Sequence, residues 1–202
     1  MKKRITLIIC ITIATIGIIL GSIKLYQNYQ NKNKSDAIKF SEEYTQVPSD
    51  NIFVYKSIDE IIKILEHGTG IVYLGFPECP WCQRYAKYLN EVAKASGASC
   101  IYYYNILEDR KNNTENYQKI VSLLSGNLLY DDNGNERIYV PDVTFVYNGK
   151  IVGHDNESSY DTKGFEDPND YWNEEAVTNL NNRLADYTKK VCQTMCTECN
   201  KD

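Results

Sequence analysis

The chain has 202 residues and a formal net charge of −5, which becomes −8 when the three cations Lys2, Lys3 and Arg4 are set aside. An acidic chain without basic clusters excludes nucleic acid as a partner, because phosphate backbones are bound by concentrated Lys and Arg. The abundant Tyr, Asn, Ile and Lys are a compositional bias and assign no ligand role.

Residues 1–4 form a basic leader. Ile5 to Ile23 follows as an uncharged run of roughly nineteen residues, long enough to cross a bilayer as one helix. A secretory signal has a shorter apolar core and small residues at its cleavage site, which Ile19-Leu20-Gly21 does not supply. Cys10 lies early in the run after bulky Ile9 and reads as a membrane-embedded thiol without a role. The leader favours a cytoplasmic start, while Lys24, Lys32, Lys34 and Lys39 on the far side oppose it. The expected arrangement is a single-pass cell-membrane protein with its domain on the extracytoplasmic side. Residues 24–48, rich in Asn, Gln, Lys and Ser with little periodicity, read as a polar stalk. Residues 49–191 are enough for one domain with a core, and 192–202 form a Cys-rich tail.

Within that domain, Ile52 to Tyr55 reads as a first strand. Ser57 with Glu60 makes a capping-box pattern, and Ile58, Ile61, Ile62 and Leu65 share one face of a helix ending at His67-Gly68. His67 reads as an end-of-helix residue rather than a ligand. Ile71 to Leu74 is a short buried strand. Gln83 to Ser96 places Tyr85, Tyr88, Leu89 and Val92 at helical spacing, with Gly97 as the stop. Ile101 to Ile106 is a strand, and Glu115 to Leu124 a helix with Ile120, Val121 and Leu124 inward. Such alternation calls for an α/β fold with a partly parallel sheet covered by helices. Tyr130 to Arg137 is a polar turn. Val140-Pro141-Asp142 then leads into Val143 to Tyr147 and Lys150 to Gly153, two strands joined by Asn148-Gly149 as a hairpin. Residues 155–170 form an acidic insertion, expected to be a solvated loop because its oxygens lack a calcium-site spacing. His154 at its root is expected at the surface. Asn173 to Val191 is a final helix with Ala176, Val177, Leu180, Leu184, Tyr187 and Val191 as its buried stripe.

The chemistry concentrates in Phe76-Pro77-Glu78-Cys79-Pro80-Trp81-Cys82, between a strand and a helix. Unpaired N–H groups and the positive end of the helix dipole favour thiolate there, so Cys79 is expected to have a lowered pKa and to act as nucleophile. Pro80 suits a first turn because the N–H it lacks has no helical partner. Cys82, three residues on, is within reach to resolve a mixed disulfide. Cys-x-x-Cys is also half of many zinc sites, but those need a second ligand pair and usually sit on turns or ribbons. The tail cysteines Cys192, Cys196 and Cys199 have the spacing of some iron–sulfur enzymes, which place it ahead of a catalytic domain rather than at the end of the chain. As a zinc site they lack a fourth ligand unless Cys100 supplies it. No metal or cofactor is therefore assigned.

Cys79-Pro80-Trp81-Cys82 after a strand, Val140-Pro141 before a hairpin, and Val143 through Gly153 together resemble the thioredoxin superfamily, over roughly Ile52 to Val191. The resemblance implies a thioredoxin-like fold, a central mixed sheet flanked by helices, here preceded by one transmembrane helix. It also implies a cis peptide before Pro141, lying against the dithiol, and a substrate strand bound by the backbone of Val140. Trp81 would then lie in the substrate contact or pack on its helix. The architecture looks like extracytoplasmic thiol-disulfide oxidoreductases of Gram-positive bacteria, and faintly like bacteriocin-transport accessory proteins. Its partners would be protein or peptide thiols and disulfides, with a membrane electron-transfer partner if it works as a reductant. Tyr73 stands where thioredoxins carry a buried aspartate, Pro80-Trp81 replaces their Gly-Pro, and Val140 leans toward the disulfide-forming oxidases, so the direction stays open. Two other readings stand beside this one: a non-catalytic binding module for a transporter or secreted peptide, and a metal carrier using the tail cysteines.

In that topology the final helix runs away from the dithiol, toward the pole where Cys100 opens a strand. An oxidising compartment then allows two further bonds, Cys100 with one of Cys192, Cys196 or Cys199, and the remaining two together. Peptide mapping without reduction is expected to recover Cys100 linked to a tail peptide; four free thiols would overturn the pairing.

Overall fold

Every apolar position of one central strand is buried, on alternate faces, and this sets the architecture of the chain. The computed structural model describes residues 15–17, 19–22, 35–157, 164–165 and 167–198, with 193–198 by backbone only. Two units are distinguished, 1–35 and Asp36 onward. In the first, residues 15–17 and 19–22 are helical, with Ile16, Ile19 and Leu20 exposed. The expected anchor, 5–23, falls mostly outside the described residues, and among those described no helix is long and apolar enough to cross a membrane.

The second unit is mixed α/β. Its elements are α1 (Asp36–Glu43), β1 (Phe53–Tyr55), α2 (Ile58–His67), β2 (Gly70–Gly75), α3 (Pro80–Ala95), β3 (Ile101–Asn105), α4 (Leu107–Asn112), α5 (Glu115–Leu123), β4 (Leu129–Tyr130), β5 (Glu136–Arg137), β6 (Asp142–Tyr147), β7 (Lys150–Asn156), α6 (Pro168–Tyr171) and α7 (Glu174–Glu198). Five strands form one sheet in the order β1-β3-β2-β6-β7, while β4 and β5 pair separately. β1, β3 and β2 are parallel, and β6 and β7 continue the sheet antiparallel to their neighbours. Ile71 and Tyr73 of β2 pack with α1, α3 and α7 on one face, whereas Val72 and Leu74 pack with α2 and α5 on the other. Burial on both faces explains why β2 reads as a continuous apolar run.

The local signals act as expected. The Ser57 side chain accepts from the Glu60 N–H at 3.3 Å and the Glu60 carboxylate from the Ser57 N–H at 2.8 Å, a complete capping box. Asn148 and Gly149 take φ of 48° and 71°, the left-handed pair that a tight hairpin requires. Gly149 also donates to Gly68 O at 2.9 Å, and a Cβ there would lie 2.1 Å from the carbonyl oxygen of Glu66.

Three expectations are corrected. The polar stalk does not extend to residue 48, because α1 belongs to the folded unit. Phe40 is fully buried, with its ring stacked 4.2 Å from that of Tyr44 and 3.8 Å from that of Phe53. The Asp36 carboxylate accepts from the Tyr55 N–H at 3.1 Å on the edge strand β1. The acidic insertion does not begin as a solvated loop. Asp155 and Glu157 are buried and held by one guanidinium, Arg183 Nε at 2.9 Å and Nη2 at 3.1 Å respectively; residues 158–163 and 166 of that insertion lie outside the described residues. His154 is not at the surface. Its Nε2 lies 3.0 Å from Asp142 Oδ2, and although burial opposes the charged imidazole, Asp142 outweighs it and raises the His154 pKa.

Truncating Phe40 tests whether α1 is structural. The Phe40→Ala variant is expected to lose about 3–5 kcal/mol in chemical denaturation, the cost of emptying a buried aromatic site. A loss near zero would return this segment to the stalk.

Candidate active site

β2 and β3 run parallel, so both deliver their carboxyl ends to one pole. Beyond β2, the Cys79 N–H donates to Phe76 O at 3.2 Å, closing the turn that leads into α3. Cys79 is the residue that caps this helix, with extended backbone (φ −86°, ψ 116°), and Pro80 opens it. The cap itself is a sulfur: Cys79 Sγ accepts from the Cys82 N–H at 3.3 Å. Both cysteines are reduced, Cys79 half-buried and Cys82 fully buried.

Their environments push the two thiols apart. The Cys79 pKa is lowered to about 7, first by its hydrogen bond with Cys82, then by the backbone N–H groups of Cys82 and Trp81 and by the Arg110 guanidinium, all against burial. The Cys82 thiol is pushed well up, mainly by burial and then by its Cys79 neighbour. Near neutrality, therefore, Cys79 is partly thiolate while Cys82 keeps its proton.

Tyr73 lies beneath Cys82. Its hydroxyl donates to Cys82 O at 3.2 Å and also favours the Cys82 thiolate by hydrogen bonding. Gly75 keeps that gap open, since a Cβ there would stand 2.8 Å from Tyr73 Oη and 3.3 Å from Cys82 Sγ. Tyr85 stacks on Tyr73 at 6.3 Å, and Tyr44 and Tyr103, bonded hydroxyl to hydroxyl at 3.3 Å, complete a buried aromatic floor.

The Val140–Pro141 peptide bond is cis. Asp142, next in the chain, pairs in register with Leu74, so Pro141 lies alongside the end of β2 that leads to Cys79. Val140 is partly buried against the clusters on both faces of the sheet. Trp81 is partly buried, with ring centroids 5.2 Å from Tyr171 and 6.4 Å from Trp172. Cys79, Cys82, Trp81, Val140 and Pro141 thus share the dithiol pole or its flank.

Cys100 has a different place, at the amino end of β3 and hence the opposite pole, where its thiol is free. α7 also heads that way: Arg183 meets Asp155 near the end of β7, whereas Tyr187, one turn on, meets Gly153. Cys192 follows on the same helix. The side chains of Cys196 and Cys199 lie outside the described residues. Among the described residues no three His, Cys, Asp or Glu side chains converge as a metal site.

Arg110 escaped the sequence reading. It lies on the short helix α4, directly after β3, with its guanidinium 4.9 Å from the Phe76 ring centroid. The signal that could have found it is topological, since a residue just beyond the carboxyl end of β3 arrives at the pole that holds Cys79.

Set against protein-family models, curated proteins and solved structures, the chain matches none of them.

Alkylation of Cys79 by iodoacetamide as a function of pH is expected to inflect at about 7. Because the Arg110 guanidinium contributes to lowering this pKa, Arg110→Gln moves the inflection upward. The reduced protein's stability also carries a sign. With the folded pKa below that of an unfolded thiol, Cys79 contributes stability that is present above the unfolded value and lost as pH falls through about 7.

Proposed function

We propose that this chain is a thioredoxin-like thiol-disulfide oxidoreductase, anchored in the membrane by residues 5–23 and exchanging disulfides with exported proteins. The observation that carries the reading is the split between two neighbouring thiols at a helix start, one ionised near neutrality and one buried and protonated, flanked by a cis X-Pro bond. The sheet order and the antiparallel β6–β7 hairpin support the thioredoxin-like assignment. The uncharged run and basic leader support the anchor.

In the reducing direction, the Cys79 thiolate attacks one sulfur of a substrate disulfide. A mixed disulfide forms and the other substrate sulfur leaves as a thiolate. Cys82 gives up its proton, which the departed thiolate accepts, and the Cys82 sulfur then attacks Cys79 Sγ. The Cys79–Cys82 disulfide forms as the second substrate sulfur leaves, so two electrons have passed to the substrate. In the oxidising direction the same steps run backwards. Pro141 and the Val140 backbone form the edge on which an extended substrate lies, and Trp81 the apolar flank.

Burial opposes ionisation of Cys82, and Tyr73 meets that difficulty where thioredoxins use a carboxylate. It is not the proton acceptor, because its own pKa is raised well above the ordinary value, first by burial. It acts as a rotating donor, turning from Cys82 O toward the sulfur as negative charge develops there.

The test is exchange with a peptide disulfide under single turnover. Cys79→Ser is expected to abolish it, and Cys82→Ser to accumulate the mixed disulfide. Tyr73→Phe slows resolution by roughly tenfold, the size of a hydrogen bond to a charged group, without slowing the first attack. A wild-type chain that exchanges no faster than Cys79→Ser, with its cellular function unchanged by that substitution, would leave only a binding scaffold. Equilibration against glutathione and dithiothreitol fixes the direction, with a potential near about −270 mV marking a reductant and one near about −120 mV an oxidant.

A further inference from the structure

Two cations meet beside the dithiol, and the carboxylate that interacts with the charge of Arg137 is that of Asp131. Arg110 on α4 and Arg137 on β5 line one cleft of about 490 Å³, together with Asn113, Tyr117, Asp131 and Glu136. Their guanidinium groups sit over aromatic rings, Arg110 4.9 Å from the centroid of Phe76 and Arg137 5.5 Å from that of Tyr139. Among the described residues neither forms an ion pair. The carboxylates in the same wall are engaged locally. Glu136 accepts from the Gly126 N–H at 2.7 Å, and Asp131 accepts from the N–H groups of Asn133 and Asn135, each at 2.9 Å.

Setting exposed Arg137 beside half-buried Arg110 costs free energy, which an anion bridging them recovers. Burial first, and then the charge of Arg137, destabilises the protonated Arg110. A guanidinium matches a carboxylate with two parallel N–H···O bonds, a geometry that ammonium groups do not offer. The cleft also adjoins the reacting groups. Phe76, which carries Arg110 on its face, accepts from the Cys79 N–H, and Arg137 precedes Pro141 by four residues in the segment that forms the substrate edge.

We propose that the Arg110–Arg137 cleft binds a carboxylate borne by the disulfide substrate, close to the sulfur that Cys79 attacks. This rests on the oxidoreductase reading and adds a substrate class, acidic disulfides over neutral or basic ones. The chain's own charge is negative, so the preference arises from short-range contact in the cleft and not from long-range steering. An acidic residue of a peptide and the free carboxylates of a small thiol present the same group, and both are tested.

Reduced full-length protein is mixed under single turnover with mixed disulfides of one peptide sequence that carry Glu, Gln or Lys beside the reacting cysteine, at about 0.15 M salt. In parallel, glutathione disulfide is compared with its carboxyl esters. The Glu peptide, the unesterified glutathione disulfide, or both are expected to react about tenfold faster than the Lys peptide or the ester, one charge-assisted contact's worth. Arg137→Glu should invert the order within the peptide set. Exchange at equal rates across all charges overturns the cleft proposal and leaves the oxidoreductase reading standing. No exchange with any substrate overturns the oxidoreductase reading itself. If Arg137→Glu fails to fold, the wild-type ratios alone decide.

Discussion

A sulfur serving as a helix cap is the constraint on which this molecule's chemistry depends. The N–H groups of an α-helix's first turn need acceptors, and here one of them finds Cys79 Sγ at 3.3 Å. The acceptor is better when charged, so the same bond that starts α3 favours the thiolate. Structure and reactivity therefore share one hydrogen bond. Because the bond comes from the backbone of Cys82, the second thiol is carried one turn inward, where the helix meets the sheet and burial keeps it protonated. The asymmetry of the pair follows from helix geometry before any other side chain is considered.

The rest of the fold holds that helix start in place. Gly75 ends β2 without a side chain, leaving room for Tyr73 and Cys82 to approach one another. The tyrosine floor beneath them is closed from the far side by Phe40 of α1, whose ring meets that of Tyr103 edge-on. On the flank, Tyr85 of α3 donates to Asp155 at 3.1 Å, and Arg183 ties Asp155 and Glu157 to α7. The dithiol helix is thus fixed to the last strand and the last helix by buried, charge-assisted contacts. Such contacts are costly if any member is removed, which makes them stronger constraints on position than on net stability.

Local signals made much of this legible in advance. The capping box at Ser57 and Glu60, the Asn148-Gly149 hairpin, the helix after Cys79 and the strands around it all follow from residues within a few positions of each other. What stayed hidden depends on distant partners. Phe40 and Tyr44 are two apolar residues in a polar stretch, and only Phe53 and Tyr103 across the fold show that they belong to the core. Asp155 and Glu157 read as solvated acids because their cation, Arg183, lies a whole element away. His154 looked like a surface residue because Asp142 faces it only through the β6–β7 pairing. Tyr73 was visible as a departure from the thioredoxin pattern, but its contact with Cys82 required the packing of α3 on β2. Arg110 needed the parallel pairing of β2 and β3 to be placed near Cys79.

The chain has two tryptophans, Trp81 and Trp172, and their rings lie 6.4 Å apart, with Trp81 between the two cysteines in sequence. A disulfide quenches indole emission at short range where a dithiol does so far less. Both indoles of the chain thus belong to one aromatic cluster on the helix that carries the cysteines, so closure of a Cys79–Cys82 bond would register in intrinsic fluorescence with no label attached.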